Sequence, residues 1–521
     1  MSAFGWKVVH GGKTPPPGEV VRPDERLGWG RTVGLGAQHV VAMFGATFVF
    51  PLIMGLNANV AIMFSGIATI LFLLIVGGKV PSYLGTSASF VAGVAAIRAQ
   101  GGDSSDVTGA ILVCGLVLAA VGLFVHFAGA HLVSRVLPPA VTGAVVMLIG
   151  FNLAPVVANV YWPQDQWIAL ATATFVIVAA VLFRGFWSRI AIFLGLVFGY
   201  ALSYLADLFG PITSVLPGQN TLDADGNPCF PEGLNCAATA FSHDRLAFDS
   251  IRAADWVGLP DSTFVNADGM EVAGFHAPTF SLTFILLVLP GVIALIAENA
   301  GHVKAVAEMT GDDLDPYLGR ALLGDGLGTA LASAFGGSPT TTYAENIGVM
   351  AATRVYSTAA YYVAAVVAIL LGLVPKFGAL VNSIPGGVLG GITVVLYGMI
   401  GLLGAKIWVE NRVDFGNPIN LVPLAAGIIV GVGNVTLNVT DDFQLAGIAL
   451  GTIMVIVYYH LVRAFGANIY TEPQAGGRAY EGGTMFATGN VETSTGEHSP
   501  FESDETSPGE HPHSHRRQDR E

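Results

Sequence analysis

The decisive stretch of this chain reads Gly336-Gly-Ser-Pro-Thr-Thr-Thr-Tyr-Ala-Glu-Asn-Ile-Gly-Val-Met-Ala-Ala-Thr-Arg354 and lies within very apolar surroundings. Its paired glycines and its proline break helices, and its three successive threonines favour extended backbone. From about Asn346 to Arg354 the composition favours helix, but only over roughly 13 Å, about half of a bilayer. We therefore predict a short extended segment that runs into a half-helix, with Glu345 at the junction.

An acidic residue at this junction predicts a binding site. Irregular backbone at membrane depth persists only where protein or a water-filled cavity satisfies its polar groups. The start of a half-helix offers free N–H groups and the positive end of a helix dipole. Glu345 is therefore a candidate to contact a substrate.

The composition is that of a polytopic membrane protein. Of the 521 residues, 53% are hydrophobic and 12% are charged, whereas soluble domains carry about 25% charged residues. The net charge of −14 does not indicate nucleic-acid binding, because the acidic residues lie mainly in one loop and one tail. The sequence contains no HExxH, Gly-x-Ser-x-Gly or phosphate-loop motif, so we expect a transporter that needs no cofactor, and not an enzyme.

The hydrophobic pattern predicts fourteen membrane spans with both ends of the chain in the cytoplasm. When the sides alternate from a cytoplasmic N-terminus, all but four of the 23 Lys and Arg residues fall inside, in agreement with the positive-inside rule. The predicted spans lie near residues 31–53, 58–77, 81–98, 107–130, 139–158, 167–184, 188–208, 280–303, 317–335, 339–354, 357–375, 386–405, 418–436 and 443–465.

These spans divide the chain into five regions. In order they are a cytoplasmic polar arm (1–30), a first repeat of seven spans (31–208), an acidic loop on the outer side (209–279), a second repeat of seven spans (280–465) and a disordered cytoplasmic tail (466–521). Cys229 and Cys236 share the outer loop, where an oxidising compartment would allow one local disulfide.

Seven spans on each side of the loop predict two repeats of opposite orientation, because seven is odd. Inverted repeats are typical of transporters, whose interrupted helices occupy corresponding positions in the two halves. Span 3 begins with Pro81-Ser-Tyr-Leu-Gly-Thr-Ser-Ala-Ser-Phe90, which is as polar as the decisive stretch in span 10. We therefore expect an all-α membrane protein whose spans 3 and 10 contain short antiparallel strands, with both half-helix N-termini directed at one midplane cavity.

A second set of polar residues lies in span 8. Glu298 and His302 are four residues apart and share one helix face, where a carboxyl group beside an imidazole can hold or release a proton. His302 could instead lie at the cytoplasmic helix end. With Glu345 across the cavity, two carboxylates would accept hydrogen bonds from the ring N–H groups of a planar neutral solute. Backbone N–H groups near Ala88 and Ala344 would donate to its carbonyl groups.

Further candidates admit both a structural and a functional interpretation. Asp325, between two glycines in span 9, either joins Glu298 in a proton relay or caps a helix. His39 in span 1 fits a structural or coupling role better than direct contact with a substrate. Aromatic surface for a planar solute would come from Tyr343, Phe90 and Tyr397.

Four separate motifs follow one another along the chain: Gln38-His-Val-Val-Ala-Met-Phe-Gly-Ala-Thr47, Lys79-Val-Pro-Ser-Tyr-Leu-Gly-Thr-Ser87, Ala297-Glu-Asn-Ala-Gly-His302 and Tyr343-Ala-Glu-Asn-Ile-Gly-Val-Met-Ala-Ala-Thr-Arg354. In this order they resemble the nucleobase–ascorbate transporter family. Glu345 makes the fourth motif more similar to bacterial uracil permeases than to the xanthine and urate branch, which usually has Gln there. The resemblance extends over residues 31–208 and 280–465.

This resemblance implies a fourteen-span fold with a core domain (spans 1–4 and 8–11) and a gate domain (spans 5–7 and 12–14). It also implies proton-coupled symport of a nucleobase, most closely uracil, by a bacterial cell-membrane protein that forms homodimers through its gate domains. By position, Glu298 and Glu345 would bind the base and His302 would support Glu298. Ala46 would line the pocket, and Tyr397 would close it from the gate side.

Three departures from the family pattern leave the substrate open. Ala88 stands where uracil permeases have Phe, Ala344 replaces a Gly, and Asn299 replaces a His. The first change enlarges the pocket and the second narrows it, so a xanthine, purine or broad nucleobase permease is the alternative. A transporter of anions on the same architecture is a weaker alternative, because Glu345 beside the positive helix ends would repel an anion unless it were protonated.

Overall fold

A computed structural model of the chain describes residues 5–214, 221–222, 237–238, 241–265, 271–440 and 443–466. The predicted disulfide between Cys229 and Cys236 lies outside these residues, as does the predicted tail except for Gly466.

Helices account for most of the described chain. They are α1 Trp29–Ala42, α2 Phe44–Met54, α3 Ala58–Ile75, α4 Val91–Ala99, α5 Ser104–Ala128, α6 His131–Val136, α7 Pro139–Phe151, α8 Ala154–Val156, α9 Gln166–Leu182, α10 Phe186–Arg189, α11 Ala191–Asp207, α12 Asp249–Ala253, α13 Leu282–Val288, α14 Gly291–Thr310, α15 Leu318–Ala334, α16 Ala344–Thr353, α17 Thr358–Gly372, α18 Pro375–Asn382, α19 Gly386–Glu410, α20 Pro418–Val432 and α21 Gly447–Gly466.

The strands are short and occur as separate pairs. They are β1 Lys7–Val8, β2 Glu25–Arg26, β3 Leu84–Thr86, β4 Ile212–Ser214, β5 Thr221–Leu222, β6 Ala237–Ala238, β7 Phe241–His243, β8 Phe264–Val265, β9 Glu271–Val272, β10 Thr340–Thr342, β11 Thr436–Thr440 and β12 Phe443–Ala446. The pairs are β1–β2, β3–β10, β4–β7, β5–β6, β8–β9 and β11–β12.

Each of the fourteen predicted spans contains a helix in the described chain. Within the described residues, seven helical segments are long and apolar enough to cross a membrane, and an eighth results if α17 and α18, bent by 83°, are taken together. Large apolar side chains cover the outside of the bundle, as lipid contact requires; the side chains of Phe127 and Phe465 are 80% and 77% exposed. The structure is therefore that of a multi-pass membrane protein.

Side-chain caps start several helices at the positions where the apolar runs begin. Asn57 accepts from the N–H groups of Asn59 and Val60 at the start of α3, and Asp103 forms a capping box with Asp106 at the start of α5. Such caps satisfy N–H groups that have no partner inside the helix. They therefore fix where the chain turns from loop to helix.

The helices pack in two groups. The first group contains α1 to α5 and α13 to α18, with close contacts between α5 and α15, α3 and α17, α3 and α15, α1 and α17, and α5 and α13. The second group contains α7 to α11 and α19 to α21, with close contacts between α7 and α19, α20 and α21, α9 and α19, and α9 and α11. The interrupted helices α4 and α16 both belong to the first group.

Part of the predicted polar arm is folded onto the first group. Val21 makes a parallel bridge with Val355, and its side chain is fully buried. The Nε1 of Trp6 donates to the hydroxyl of Thr358 at 2.8 Å. The arm therefore contacts the chain directly after α16.

Candidate functional site between two broken helices

Two broken helices meet through a short antiparallel strand pair. Strand β3 pairs with β10 in the register Thr340 with Thr86, Thr341 with Gly85 and Thr342 with Leu84. The pairing continues at one end, where the Tyr343 N–H donates to the Tyr83 carbonyl at 3.2 Å. All six strand residues are buried.

A half-helix begins directly after each strand. Helix α16 starts at Ala344, two residues before the predicted start, so Glu345 lies in its first turn. On the other side a 3-10 turn, Ala88–Phe90, leads into α4. The first N–H groups of both segments have no acceptor within the helix, so backbone donors from two helices lie on either side of the strand pair.

The hydroxyl of Tyr343 ties the strand pair to α2. It donates to the Thr86 carbonyl at 2.7 Å and accepts from the Thr47 hydroxyl at 3.2 Å. Gly85 is required beneath the ring, because a Cβ there would lie 2.6 Å from Tyr343 and Thr47 atoms. Tyr343 was predicted as an aromatic surface for the solute; its hydroxyl is engaged in holding the strands.

Helix α14 brings Glu298 to the turn before α4. The hydroxyl of Ser89 donates to Glu298 Oε2 at a long 3.5 Å. The close approach of α14 depends on Gly291, where a Cβ would lie 2.9 Å from the Ser89 carbonyl oxygen. A loosely held carboxyl group at this place keeps acceptor capacity for a ligand.

His302 belongs to a separate chain of hydrogen bonds. Its Nδ1 lies 2.8 Å from the Thr342 hydroxyl. That hydroxyl donates its one proton to Asn299 Oδ1 at 3.3 Å, so it accepts from the imidazole. The Asn299 amide donates in turn to Asp325. In the described chain, therefore, Asp325 is linked to His302 through Asn299 and Thr342, and Glu298 is held by Ser89 instead.

His39 lies in a third set of contacts, with Asn346 of α16 and Tyr361 of α17. Asn346 Nδ2 is 3.2 Å from His39 Nδ1 and 3.2 Å from the His39 carbonyl oxygen. The ring of Tyr361 lies 4.4 Å from the imidazole, centroid to centroid. His39 is 1% exposed, so it joins α1 to the half-helix rather than opening onto a free surface.

Tyr397 approaches the first group from α19. Its ring is stacked on Phe50 of α2 at 6.0 Å, and its hydroxyl is buried without a hydrogen-bond partner among the described residues. Ala46 and Phe90, also predicted to line the pocket, are 4% and 1% exposed. A buried hydroxyl that lacks a protein partner favours a ligand or water partner.

Four of the predicted contact positions, Glu298, Glu345, Ala88 and Ala344, are partly exposed beside a buried residue, whereas Ala46, Phe90, Tyr343 and Tyr397 are buried. Glu298 and Ala88 are half-buried next to buried Ala297 and Ser89. The same holds for the first two residues of α16, Ala344 and Glu345, which follow a buried Tyr343. The two glutamates and the first residues of the two half-helices are therefore the accessible part of the predicted site.

Sequence analysis missed the residues that hold these groups in place. They are Ser89, Thr342, Asn346, Thr47 and Phe50. The signal for the first three was present, since each lies within or next to a motif that was singled out for another residue. Thr47 ends the first motif, whereas Phe50 lies outside the four motifs; the partner of each is about 300 or more residues away in the chain.

Among the described residues, no group of three or more His, Cys, Asp or Glu is placed to hold a metal ion.

Comparison with known proteins places the chain in a family. Residues 30–440 match the permease family (Xan_ur_permease). The protein named "Putative pyrimidine permease RutG" of Escherichia coli (strain K12) is 42% identical over 464 residues, which cover 88% of this chain and 95% of that protein. The uracil permease of Bacillus caldolyticus is 34% identical over 435 residues, covering 82% of this chain and 90% of that protein.

The fold is also found among solved structures. That of SLC26A9 matches with a TM-score of 0.55 at 13% identity, covering 84% of this chain and 65% of that longer chain. At this identity the likeness concerns the fold alone. The family match and the relatives cover most of the chain, and they indicate a multi-pass membrane transporter and not an enzyme. The protein therefore belongs to the permease family, within the nucleobase–ascorbate transporters that its motifs resemble.

Proposed function

We propose that the protein is a proton-coupled symporter that takes up a nucleobase, with uracil as the first candidate. Two partly exposed glutamates carry this proposal: Glu345 in the first turn of α16, and Glu298 beside the turn before α4. Relatives named for pyrimidine and uracil transport support the choice of substrate.

The chemistry of the site suits a planar neutral base. Two carboxyl groups accept hydrogen bonds from ring N–H groups, and backbone N–H groups at Ala88 and Ala344 donate to ring carbonyl groups. The unpartnered hydroxyl of Tyr397 would close this set from the second packing group. A site built from such paired groups rejects a solute that lacks the matching N–H or C=O.

Proton coupling is assigned to Glu298 and to the His302–Thr342–Asn299–Asp325 chain. Acidic and imidazole groups inside a membrane protein usually mark proton pathways. His39 would act indirectly, through its contact with Asn346 on α16. Apart from protons, the proposal needs no cofactor.

Inverted repeats are supported by the correspondence of helix contacts between the halves. The counterparts in the two halves are α1 and α13, α3 and α15, α5 and α17, α7 and α19, α9 and α20, and α11 and α21. When each helix is replaced by its counterpart, the α3–α17 contact becomes α15–α5 and the α1–α17 contact becomes α13–α5. Likewise α9–α19 becomes α20–α7 and α9–α11 becomes α20–α21, and all of these contacts occur. Fourteen spans in two seven-span repeats would produce this pattern. The first packing group then corresponds to the core domain and the second to the gate domain.

Transport would follow from movement of the core domain against the gate domain, which exposes the site to either side in turn. The positive-inside count supports cytoplasmic ends and an outward loop, in a bacterial cell membrane. In this proposal the regions have the boundaries predicted from the sequence: arm 1–30, repeats 31–208 and 280–465, outer loop 209–279 and tail 466–521.

A purine, xanthine or broad nucleobase permease is the second candidate. Ala88, where a larger residue would fill the pocket, favours it. An anion transporter is disfavoured by two carboxyl groups at the half-helices, although half-helix N-termini by themselves suit anions.

Uptake of labelled uracil into cells that lack their own permeases tests the proposal. We expect more uptake at about pH 5.5 than at about pH 8, because a proton gradient drives symport. A protonophore should abolish the difference, and thymine should compete while urate and adenine should not. Purine uptake without uracil uptake would select the second candidate. Uptake that is indifferent to both pH and protonophore would rule out proton coupling.

A further inference from the structure

Arg245 in the outer loop is paired with two carboxylates of the second packing group. Its Nε donates to Asp165 Oδ2 at 2.7 Å and its Nη1 to Asp207 Oδ1 at 3.1 Å. The three side chains are only 15%, 7% and 14% exposed. Partly buried ion pairs that are also hydrogen-bonded are stronger than exposed surface pairs.

Both carboxylates are also bound to backbone, which fixes their positions. Asp165 Oδ1 caps α9 by accepting from the N–H groups of Trp167 and Ile168. Asp207, at the end of α11, accepts from the N–H groups of Arg245 and Leu246, each at 3.1 Å. The loop is therefore attached to α9 and α11 through side chain and backbone together.

The Arg245 guanidinium remains charged at physiological pH. Partial burial by itself would lower the pKa of the Arg245 guanidinium, but its hydrogen bonds to the carboxylates of Asp165 and Asp207 raise that pKa above its ordinary value.

The same loop is attached to the first packing group six to thirteen residues after Arg245. The Gly258 N–H donates to the Leu373 carbonyl at 3.1 Å. Lys376, in α18, donates from Nζ to the Ile251 carbonyl at 2.9 Å and from its backbone N–H to the Asp255 carbonyl at 2.9 Å. Helix α18 packs on α3 and α17 of the first group.

A cavity of about 880 Å³ lies beneath this crossing. Its lining includes Asp165 and Gln164 beside the start of α9, Asn57, Ala379 and Asn382 of the first packing group, and Arg245 with loop residues that follow it. Asn382 Oδ1 is buried and finds no hydrogen-bond partner in the described chain. None of the predicted substrate-site residues lines this cavity, which is large enough for a small polar solute with water.

We infer that residues 245–258 form an outer clasp, which joins the gate domain to the core domain above an outer vestibule and must release at Arg245 before a small polar solute can enter. The inference rests on the proposed movement of core against gate. Any such movement changes the distance between α9 or α11 and α18, whereas the clasp attaches to both sides. The attachments at Asp165 and Asp207 are side-chain ion pairs, so they can break and re-form.

Thiol labelling of the full-length protein in right-side-out vesicles tests the clasp without any solute. In a background of Cys114→Ala, Cys229→Ser and Cys236→Ser, Ala379→Cys reports access to the vestibule. The probe is a bulky membrane-impermeant maleimide. We expect Arg245→Ala to raise the labelling rate at this position on the order of tenfold, because two partly buried ion pairs are lost. Asp207→Asn, which keeps the shape, should raise it by a smaller factor.

Two controls separate the clasp from general loosening. Asp249→Cys, at a position 99% exposed, should label equally fast with and without Arg245. Arg252→Ala removes another loop arginine, 78% exposed, and should leave labelling at Ala379→Cys unchanged. If neither Arg245→Ala nor Asp207→Asn changed the labelling rate of Ala379→Cys, the clasp would be overturned, even if uracil uptake were normal. Absent uracil uptake with the expected labelling would overturn the proposed substrate and leave the clasp.

Discussion

Glu298 is held by a single long hydrogen bond, from Ser89, at 3.5 Å. Its neighbour on the helix, Asn299, is completely buried and bonded on both sides. The difference agrees with the proposed roles, because a carboxyl group that binds and releases a ligand or a proton needs hydrogen-bonding capacity that the protein does not already occupy. The amide next to it can be.

Glu298→Gln should abolish acid-stimulated uptake, because the amide keeps the shape but cannot carry the proton. Initial uptake rates at about pH 5.5 and about pH 8 in energised cells measure this. Glu308→Gln is the matched control, since Glu308 is an exposed acid on the same helix and should have no effect. Full acid-stimulated uptake by Glu298→Gln would mean that the coupled proton resides elsewhere.

Tyr397→Phe tests whether the unpartnered hydroxyl serves the solute. We expect the affinity for the base to fall about five- to tenfold, equivalent to roughly 1 kcal/mol for one hydrogen bond. The unfolding temperature should not fall, because no described protein group loses a partner. Calorimetric titration and thermal unfolding of purified protein measure both, with Tyr458→Phe, 45% exposed, as control. An unchanged affinity would limit Tyr397 to stacking on Phe50.

At the scale of elements, α16 depends on chain that precedes the first span. The Val21 N–H donates to the Arg354 carbonyl at 2.9 Å, and the Tyr356 N–H donates to the Val21 carbonyl at 2.8 Å. Arg354 ends α16 in the left-handed conformation, with φ of 57°, which is unfavourable for a non-glycine residue. The arm therefore holds the turn that closes the half-helix of Glu345.

Val21→Asp should destabilise the protein and weaken solute binding together, because an unpaired charge would replace a fully buried side chain. The expected loss is on the order of 3 kcal/mol of unfolding free energy, measured as a lowered unfolding temperature and a weaker Kd. Val8→Asp lies on the same arm, at a position 53% exposed, and should change neither quantity. If Val21→Asp behaved like Val8→Asp, the arm would have no part in supporting α16.

The start of α16 shows where local sequence reasoning falls short at this scale. Composition predicts helix from about Asn346, yet the helix begins at Ala344. The strand pairing ends when the Tyr343 N–H bonds to the Tyr83 carbonyl, so the next residue is free to turn. A partner 260 residues away in the chain sets the boundary, and the threonine-rich composition alone does not reveal it.

At the scale of the whole molecule, the proposed movement of core against gate predicts which domain would join two copies. If the core moves relative to the gate, a stable dimer would be built on the gate domain. We expect a mass of two chains by native mass spectrometry in lipid nanodiscs. Cysteine cross-links between copies should form from lipid-facing positions of α9 or α20 and not from α5. Cross-links through α5, or a single chain that transports at full rate, would contradict this arrangement.

The sequence by itself determined the membrane class, the presence of a helix in each predicted span and the interruptions of spans 3 and 10, whereas the start of α16 and the breaks between α1 and α2 and between α13 and α14 were not predicted. Hydrophobic runs, helix breakers and charge bias act locally, and lipid leaves the backbone few alternatives to helix. The motifs also determined the family, which the comparisons confirm.

Only the tertiary structure decided which polar groups share a bond. Glu298 pairs with Ser89, and His302 pairs with Thr342 instead of Glu298, although helical spacing puts the two on one face. Arg245, which the sequence shows only as one basic residue in a polar loop, becomes the link between Asp165 and Asp207. Such choices depend on which helices are neighbours, because a buried polar group takes whatever partner the packing brings within about 3 Å.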